Sequence, residues 1–132
     1  MKFRFLLYLI PLLTLLSCQK QQAQNTVIVD ATSFANKIAS TAKPQIVDVR
    51  TPEEFNEEHI LKALNINWNG NNFEAEAQKL DKSKPVFIYC RSGNRSKKAS
   101  ARLTELGFEK IYELEGGFMQ WSSEGLKSNK TK

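Results

Sequence analysis

Cys90 opens the run Cys90-Arg91-Ser92-Gly93-Asn94-Arg95-Ser96, directly after the apolar stretch Pro85-Val86-Phe87-Ile88-Tyr89 and directly before a helix-patterned segment. A strand that delivers a cysteine into a short loop ending at a helix N-terminus surrounds the sulfur with unpaired backbone N–H groups and the positive end of the helix dipole. Both favour thiolate over thiol. A free cysteine has a pKa of about 8.5, and such a setting, with Arg91 and Arg95 adding positive charge, populates the thiolate near neutrality. Cys90 is therefore the candidate nucleophile. Gly93 admits backbone conformations that a side chain would block, so successive N–H groups can converge. Arg91 and Arg95 suit an anionic substrate, and Ser92, Gly93 and Asn94 complete the candidate binding loop.

The elements that must position this loop alternate along the chain. Short apolar runs precede helix-patterned segments five times: Val27–Val29 then Ser33–Ser40, Gln45–Val49 then Pro52–Glu57, Ala63–Asn67 then Asn72–Leu80, Pro85–Tyr89 then Ser96–Leu106, and Lys110–Leu114 then Gly117–Ser123. Five such units imply an α/β domain with a central five-stranded parallel sheet and helices on both faces. Ile46-Val47-Asp48-Val49 and Val86-Phe87-Ile88-Tyr89 are nearly continuous apolar runs, as strands covered on both sides require. Ser96 reads as a helix N-cap and Gly107 as a C′ stop. Sites in open α/β sheets lie at the carboxyl ends of strands, where Cys90 falls.

The 132 residues, 41% apolar and 25% charged, suit one domain without repeats. Residues 1–17 read separately. Lys2 and Arg4 give a positive start, Phe5 to Leu16 are apolar, and Leu15-Leu16-Ser17-Cys18 follows. This is the pattern of an export signal. The run is shorter than the roughly 20 residues that span a bilayer. Its end resembles the lipobox of bacterial lipoproteins, in which the cysteine becomes the lipidated first residue, with cleavage by an ordinary signal peptidase as the alternative. The resemblance implies a lipid anchor at Cys18 and a periplasm-facing place in the cell envelope. Gln-rich residues 18–25 read as a tether, 26–124 as the folded domain and 125–132 as a disordered tail. With Cys18 acylated, Cys90 is the one remaining thiol, and a redox cycle needs an external partner. Loss of Lys2 and Arg4 leaves 17 basic against 14 acidic residues. That net of +3 argues against nucleic-acid binding, as no recognised module accompanies it.

From Val27 to Trp121 the chain resembles a single-domain rhodanese, a sulfurtransferase. Ile46-Val47-Asp48-Val49-Arg50-Thr51-Pro52-Glu53-Glu54-Phe55 with His59-Ile60 and Ala63-Leu64-Asn65 is similar to the family's first signature. Cys90 to Ser96 is similar to its active loop, and Glu115-Gly116-Gly117-Phe118 with Trp121 to its closing element. Leu61-Lys62 departs from the usual Pro-Gly. The resemblance implies that Cys90 takes a sulfane sulfur from a donor such as thiosulfate and passes it to cyanide or a thiol, including a protein thiol. It implies no metal or organic cofactor.

Two other readings compete. One is phosphatase or arsenate reductase activity: cysteine phosphatases use a similar cradle, but place arginine six positions after the cysteine, whereas Arg95 follows at five. A non-enzymatic anion- or partner-binding module is the second rival. Retention of Cys90, Gly93 and both arginines argues for activity. His59, the single histidine, lacks metal-ligand spacing and reads as structural. Asp48 and Arg50 follow the second strand and approach the same rim, either to orient the loop or, the favoured reading, as a buried ion pair supporting the turn. Trp68, Phe118, Met119 and Trp121 read as packing residues, with Trp68 and Phe118 candidate pocket walls.

Overall fold

The computed structural model describes residues 25–131; the export signal and Cys18 lie outside the described residues. The elements are β1 (Thr26–Val29), α1 (Ala31–Ala39), β2 (Gln45–Asp48), α2 (Pro52–Glu57), β3 (Leu64–Asn65), α3 (Phe73–Ala77), β4 (Val86–Tyr89), α4 (Asn94–Glu105), β5 (Ile111–Leu114) and α5 (Gly117–Ser123). The strands form one sheet in the order β1-β5-β4-β2-β3, every adjacent pair parallel.

The period of two along a strand divides the core. Val86 and Ile88 of β4 face a cluster with Phe73 and Ala77 of α3 and Ala99 and Leu103 of α4. Phe87 and Tyr89 face the opposite cluster, with Phe34 of α1 and Phe118 and Trp121 of α5. Phe34 meets Phe87 edge-on at 5.6 Å and Trp121 at 6.1 Å. Each such pair adds about 0.5–1.5 kcal/mol beyond burial. The sheet is therefore covered on both faces, and β4 is anchored from both sides just before Cys90.

Around β3, at Lys62 and after α5 the structure adds to or departs from the sequence reading. β3 keeps only two residues as strand; beside it the Asn65 side chain donates to the carbonyls of Asp48 and Arg50, and beyond it the amides of Ile66 and Trp68 still donate to Asp48 and Val49. Lys62 adopts a left-handed φ of 69° at the turn where the resemblance has glycine, a conformation that costs a non-glycine residue about 1 kcal/mol or more. The stretch after α5 is an ordered strap. Trp121 Nε1 donates to the Lys127 carbonyl, Ser128 bridges to Ile60, and Asn129 and His59 exchange two hydrogen bonds. Its polar, aperiodic sequence hides this, since it docks through backbone groups and short side chains.

His59 serves this architecture, as its spacing implied. Its ring stacks on Phe55 at 3.8 Å, and Nδ1 lies 2.8 Å from the Phe55 carbonyl, which can only accept. Among the described residues, no helix is long and apolar enough to cross a membrane.

Tyr89 ties the centre of the sheet to the His59-Ile60 turn: the buried Ile60 amide donates to its hydroxyl at 3.0 Å. Tyr89→Phe strands that amide without an acceptor and is expected to lower unfolding free energy by about 1–3 kcal/mol in urea titrations. An unchanged midpoint would show that this bond contributes nothing.

Candidate active site

Cys90 follows β4 immediately, and its residue is only 1% exposed. The loop turns at Gly93, whose φ of 113° places it as the N-cap of α4 in a left-handed conformation. The helix accordingly starts at Asn94, and Ser96 sits one turn inside it rather than at the cap. Gly107 does end the helix, with the Gly107 amide donating to Thr104 and the Phe108 amide to Leu103, a Schellman closure.

The sulfur is held by this geometry. The Gly93 amide donates to Sγ at 3.0 Å, and the Ser96 hydroxyl lies 3.4 Å away. Burial opposes ionisation of the thiol, but the Ser96 hydroxyl and the amides of Ser96, Gly93 and Ser92 together outweigh it and bring the thiol below its ordinary range. The loop's carbonyls face elsewhere. Those of Cys90 and Arg91 accept from the amides of Phe118 and Met119 at 2.8 and 3.1 Å. This docking needs glycine at position 117: its φ is 59°, and a Cβ there would lie 2.5 Å from the Arg91 carbonyl oxygen.

The remaining residues singled out by sequence separate into different places. Arg91, Ser92 and Asn94 are exposed on the loop. Arg91 lines a cavity of about 540 Å³, together with Arg50, Lys130, Glu54, Glu57 and Glu58, and Phe118 forms a wall. Trp68 is absent from that lining and packs edge-on against Phe73 at 4.9 Å. Arg95 is not a free anion-binding charge. Its guanidinium makes a bidentate pair with Glu54 at 2.7 and 3.0 Å, clamping α4 to α2. Its charge still acts on Cys90.

Asp48 and Arg50 form the buried pair favoured from sequence, at 0% and 4% exposure. Asp48 accepts from the Arg50 amide at 2.9 Å and from the guanidinium at 2.7 Å, while that guanidinium also donates to the Glu58 carbonyl. It lies 4.4 Å from the Phe118 ring centroid. The pair thus props the turn and the wall residue whose amide holds the loop.

Sequence reasoning missed two partners. Glu54 was visible as the fourth residue of Thr51-x-x-Glu54, a capping box that the structure contains, but its bond to Arg95 joins residues 41 apart. Glu113 is buried at 5% exposure and accepts from Ser96 at 3.1 Å and Ser100 at 3.3 Å. Its signal was a charged residue inside the apolar run Ile111-Tyr112-Glu113-Leu114.

This strand-cysteine-loop-helix arrangement lies inside a family match: residues 30–124 fit the rhodanese-like domain. The chain is a member of the rhodanese family. It is 37% identical over 87 residues to the thiosulfate sulfurtransferase GlpE of Coxiella burnetii, covering 66% of this chain and 79% of the relative. It is 34% identical over 98 residues to a sulfurtransferase of Allochromatium vinosum, covering 74% and 90%. A rhodanese-like domain protein of Staphylococcus aureus superposes with a TM-score of 0.66 at 30% identity, over 76% of this chain and 95% of that one. The five-stranded parallel sheet is thus the rhodanese fold.

The Glu54–Arg95 clamp makes the domain acid-sensitive in a defined window. Hydrogen bonding from Arg95 holds the Glu54 carboxyl down to about 2, against an ordinary value of 4.5. A lowered folded-state value means that the contribution is fully present above about 4.5 and is lost as pH falls toward 2. The stability gap between wild type and Glu54→Gln is therefore expected to be constant near neutrality and to close across that interval. A gap independent of pH would refute the clamp.

Proposed function

We propose that this rhodanese moves sulfane sulfur from an anionic donor, thiosulfate or a persulfide, to a thiophilic acceptor through a persulfide on Cys90. The observation that carries the reading is the convergence of the Gly93 amide and the Ser96 hydroxyl on the sulfur, with the thiol below its ordinary range. The thiosulfate sulfurtransferase name of the Coxiella burnetii relative supports the choice of donor.

In this reading the Cys90 thiolate attacks the outer sulfur of thiosulfate. A sulfur–sulfur bond forms to Cys90, the donor's own sulfur–sulfur bond breaks, and sulfite leaves with the electron pair. Cyanide or a thiolate, which can belong to a protein, then attacks the terminal sulfur and Cys90 departs as thiolate. Neither step calls for a metal or organic cofactor. The amides that stabilise the thiolate also face the charge of the persulfide, and Arg91, exposed at the cavity mouth, is placed to attract the donor. Phosphatase chemistry fits less well. Arg95 follows Cys90 at five positions, not six, and its guanidinium is engaged by Glu54.

Incubation of the full chain with thiosulfate is expected to add the mass of one sulfur to Cys90, read on its peptide, and no sulfur in Cys90→Ser. Transfer to cyanide should then restore the starting mass. If neither thiosulfate nor a low-molecular-weight persulfide loads Cys90, the enzyme reading fails and an anion- or partner-binding module takes its place.

We further propose that the domain is exported and anchored by lipid at Cys18, facing the periplasm, which the Leu15-Leu16-Ser17-Cys18 ending supports. Cys18→Ala is expected to move the protein from the membrane fraction to the soluble one. Retention in the membrane would refute the anchor.

A further inference from the structure

Behind the sulfur lies a second buried acid that the sulfur-transfer steps above do not use. Glu113 sits on β5, and its Oε1 is 3.1 Å from the Ser96 hydroxyl, which is itself 3.4 Å from Cys90 Sγ. Ser96 is fully buried, and Ser100 contacts the other carboxylate oxygen at 3.3 Å. The three side chains form a continuous line away from solvent. A hydroxyl carries one proton, so Ser96 can donate to only one of its neighbours at a time: the sulfur, Glu113 or the Gly93 carbonyl at 3.1 Å.

We propose that Cys90 and Glu113 hold one proton between them through Ser96, with Glu113 a positioning residue that receives the thiol's proton when the nucleophile forms. In one arrangement Cys90 S–H donates to Ser96 Oγ, and Ser96 donates to the ionised carboxylate. In the other the Cys90 S–H bond has broken and a Ser96 O–H bond has formed in its place. The original Ser96 proton has moved to Glu113 Oε1, leaving Cys90 as thiolate. Proton count and net charge are the same in both, and no external base is required. The carboxyl then donates to Ser96, and Ser96 donates to the sulfur.

The surroundings suit this exchange. At its register positions Glu113 has the fully buried Ile88 of β4 and Ile28 of β1, which is 61% exposed, while Glu113 itself is 5% exposed. From α4 it is faced by Ser96, Ser100 and the charge of Lys97, while the Cys90 end feels Arg95, which is paired with Glu54. Burial raises the Glu113 carboxyl despite its hydroxyl donors, while the cradle lowers the thiol, so the two acids approach each other in strength. Two negative charges on one buried line repel, so the second proton leaves at higher pH than the first.

This inference rests on Cys90 as the nucleophile, but its test reads ionisation and not sulfur transfer. In the full chain, the rate of Cys90 alkylation by iodoacetamide, followed on the Cys90 peptide, is expected to rise with pH in two steps. Glu113→Gln keeps the shape and both hydroxyl contacts but cannot hold the proton. It should give a single step and react faster than wild type just below the wild type's upper step, by about tenfold for each pK unit of coupling. A single step in wild type, or two steps surviving in Glu113→Gln, overturns the proposal. The reciprocal variant guards against misfolding: the infrared band of the Glu113 carboxyl should titrate in two steps in wild type and in one, at lower pH, in Cys90→Ser. Identical titrations in the two proteins overturn it equally. Failure of Cys90 to load sulfur would refute the transferase reading and leave this coupling intact.

Discussion

The amides of Phe118 and Met119 donate to the carbonyls of Cys90 and Arg91, and those two bonds decide which way the peptide groups of the active loop point. A peptide group is rigid, so turning its carbonyl toward α5 constrains where the N–H at its other end can go. With the loop carbonyls satisfied on one side, the following amides can face the sulfur. The cradle is thus assembled by two helices, α4 supplying donors and α5 removing acceptors. This explains why Gly117 tolerates no side chain: its neighbours are the loop backbone itself, which cannot yield as a flexible side chain would.

The charges around the loop are arranged as mutually satisfied pairs. Arg50 is held by Asp48, and Arg95 by Glu54. The first pair is buried and the second partly so, so neither is a simple surplus of positive potential. Breaking a buried pair exposes an uncompensated charge, whereas the intact pair mainly fixes geometry. Arg50 supports Phe118, and Arg95 ties the first turn of α4 to the capped start of α2. Sulfur ionisation consequently depends on short-range hydrogen bonds more than on bulk positive charge. Among the loop cations, Arg91 is left exposed at the cavity.

Much of this was legible in the chain because it depends on neighbours in sequence. Continuous apolar runs mark β2 and β4, and the position of Cys90 between a strand and a helix pattern marks the site. What stayed hidden depends on contacts between distant segments or on backbone conformation. Ser96 has the chemistry of an N-cap, yet Gly93 takes that place through a left-handed φ, and the serine is thereby moved to face inward. Arg95 reads as free until α2 brings Glu54 against it. The strap after α5 has no apolar period to reveal it, because its order comes from bonds to His59, Ile60 and Trp121. Glu113 was readable as an anomaly, a carboxylate among apolar strand residues, but only the fold shows that it lies behind Cys90.

A dry nucleophile poses a conflict that the site must resolve. Cys90 is almost fully buried, which favours the uncharged thiol, while its proposed chemistry requires the thiolate. Water could stabilise the anion but would compete for a loaded sulfur and blunt its electrostatic stabilisation. The structure substitutes fixed donors for water: backbone amides that cost nothing to reorient, plus one hydroxyl whose direction can change. Fixed amides favour negative charge on the sulfur, and in the proposed cycle they would do so for thiolate and persulfide alike. The hydroxyl is the adjustable element, and what adjusts it lies on its far side, where Ser96 meets Glu113. Burial of both acids is therefore what gives the arrangement its effect, since the same line of groups in water would titrate as independent, screened charges.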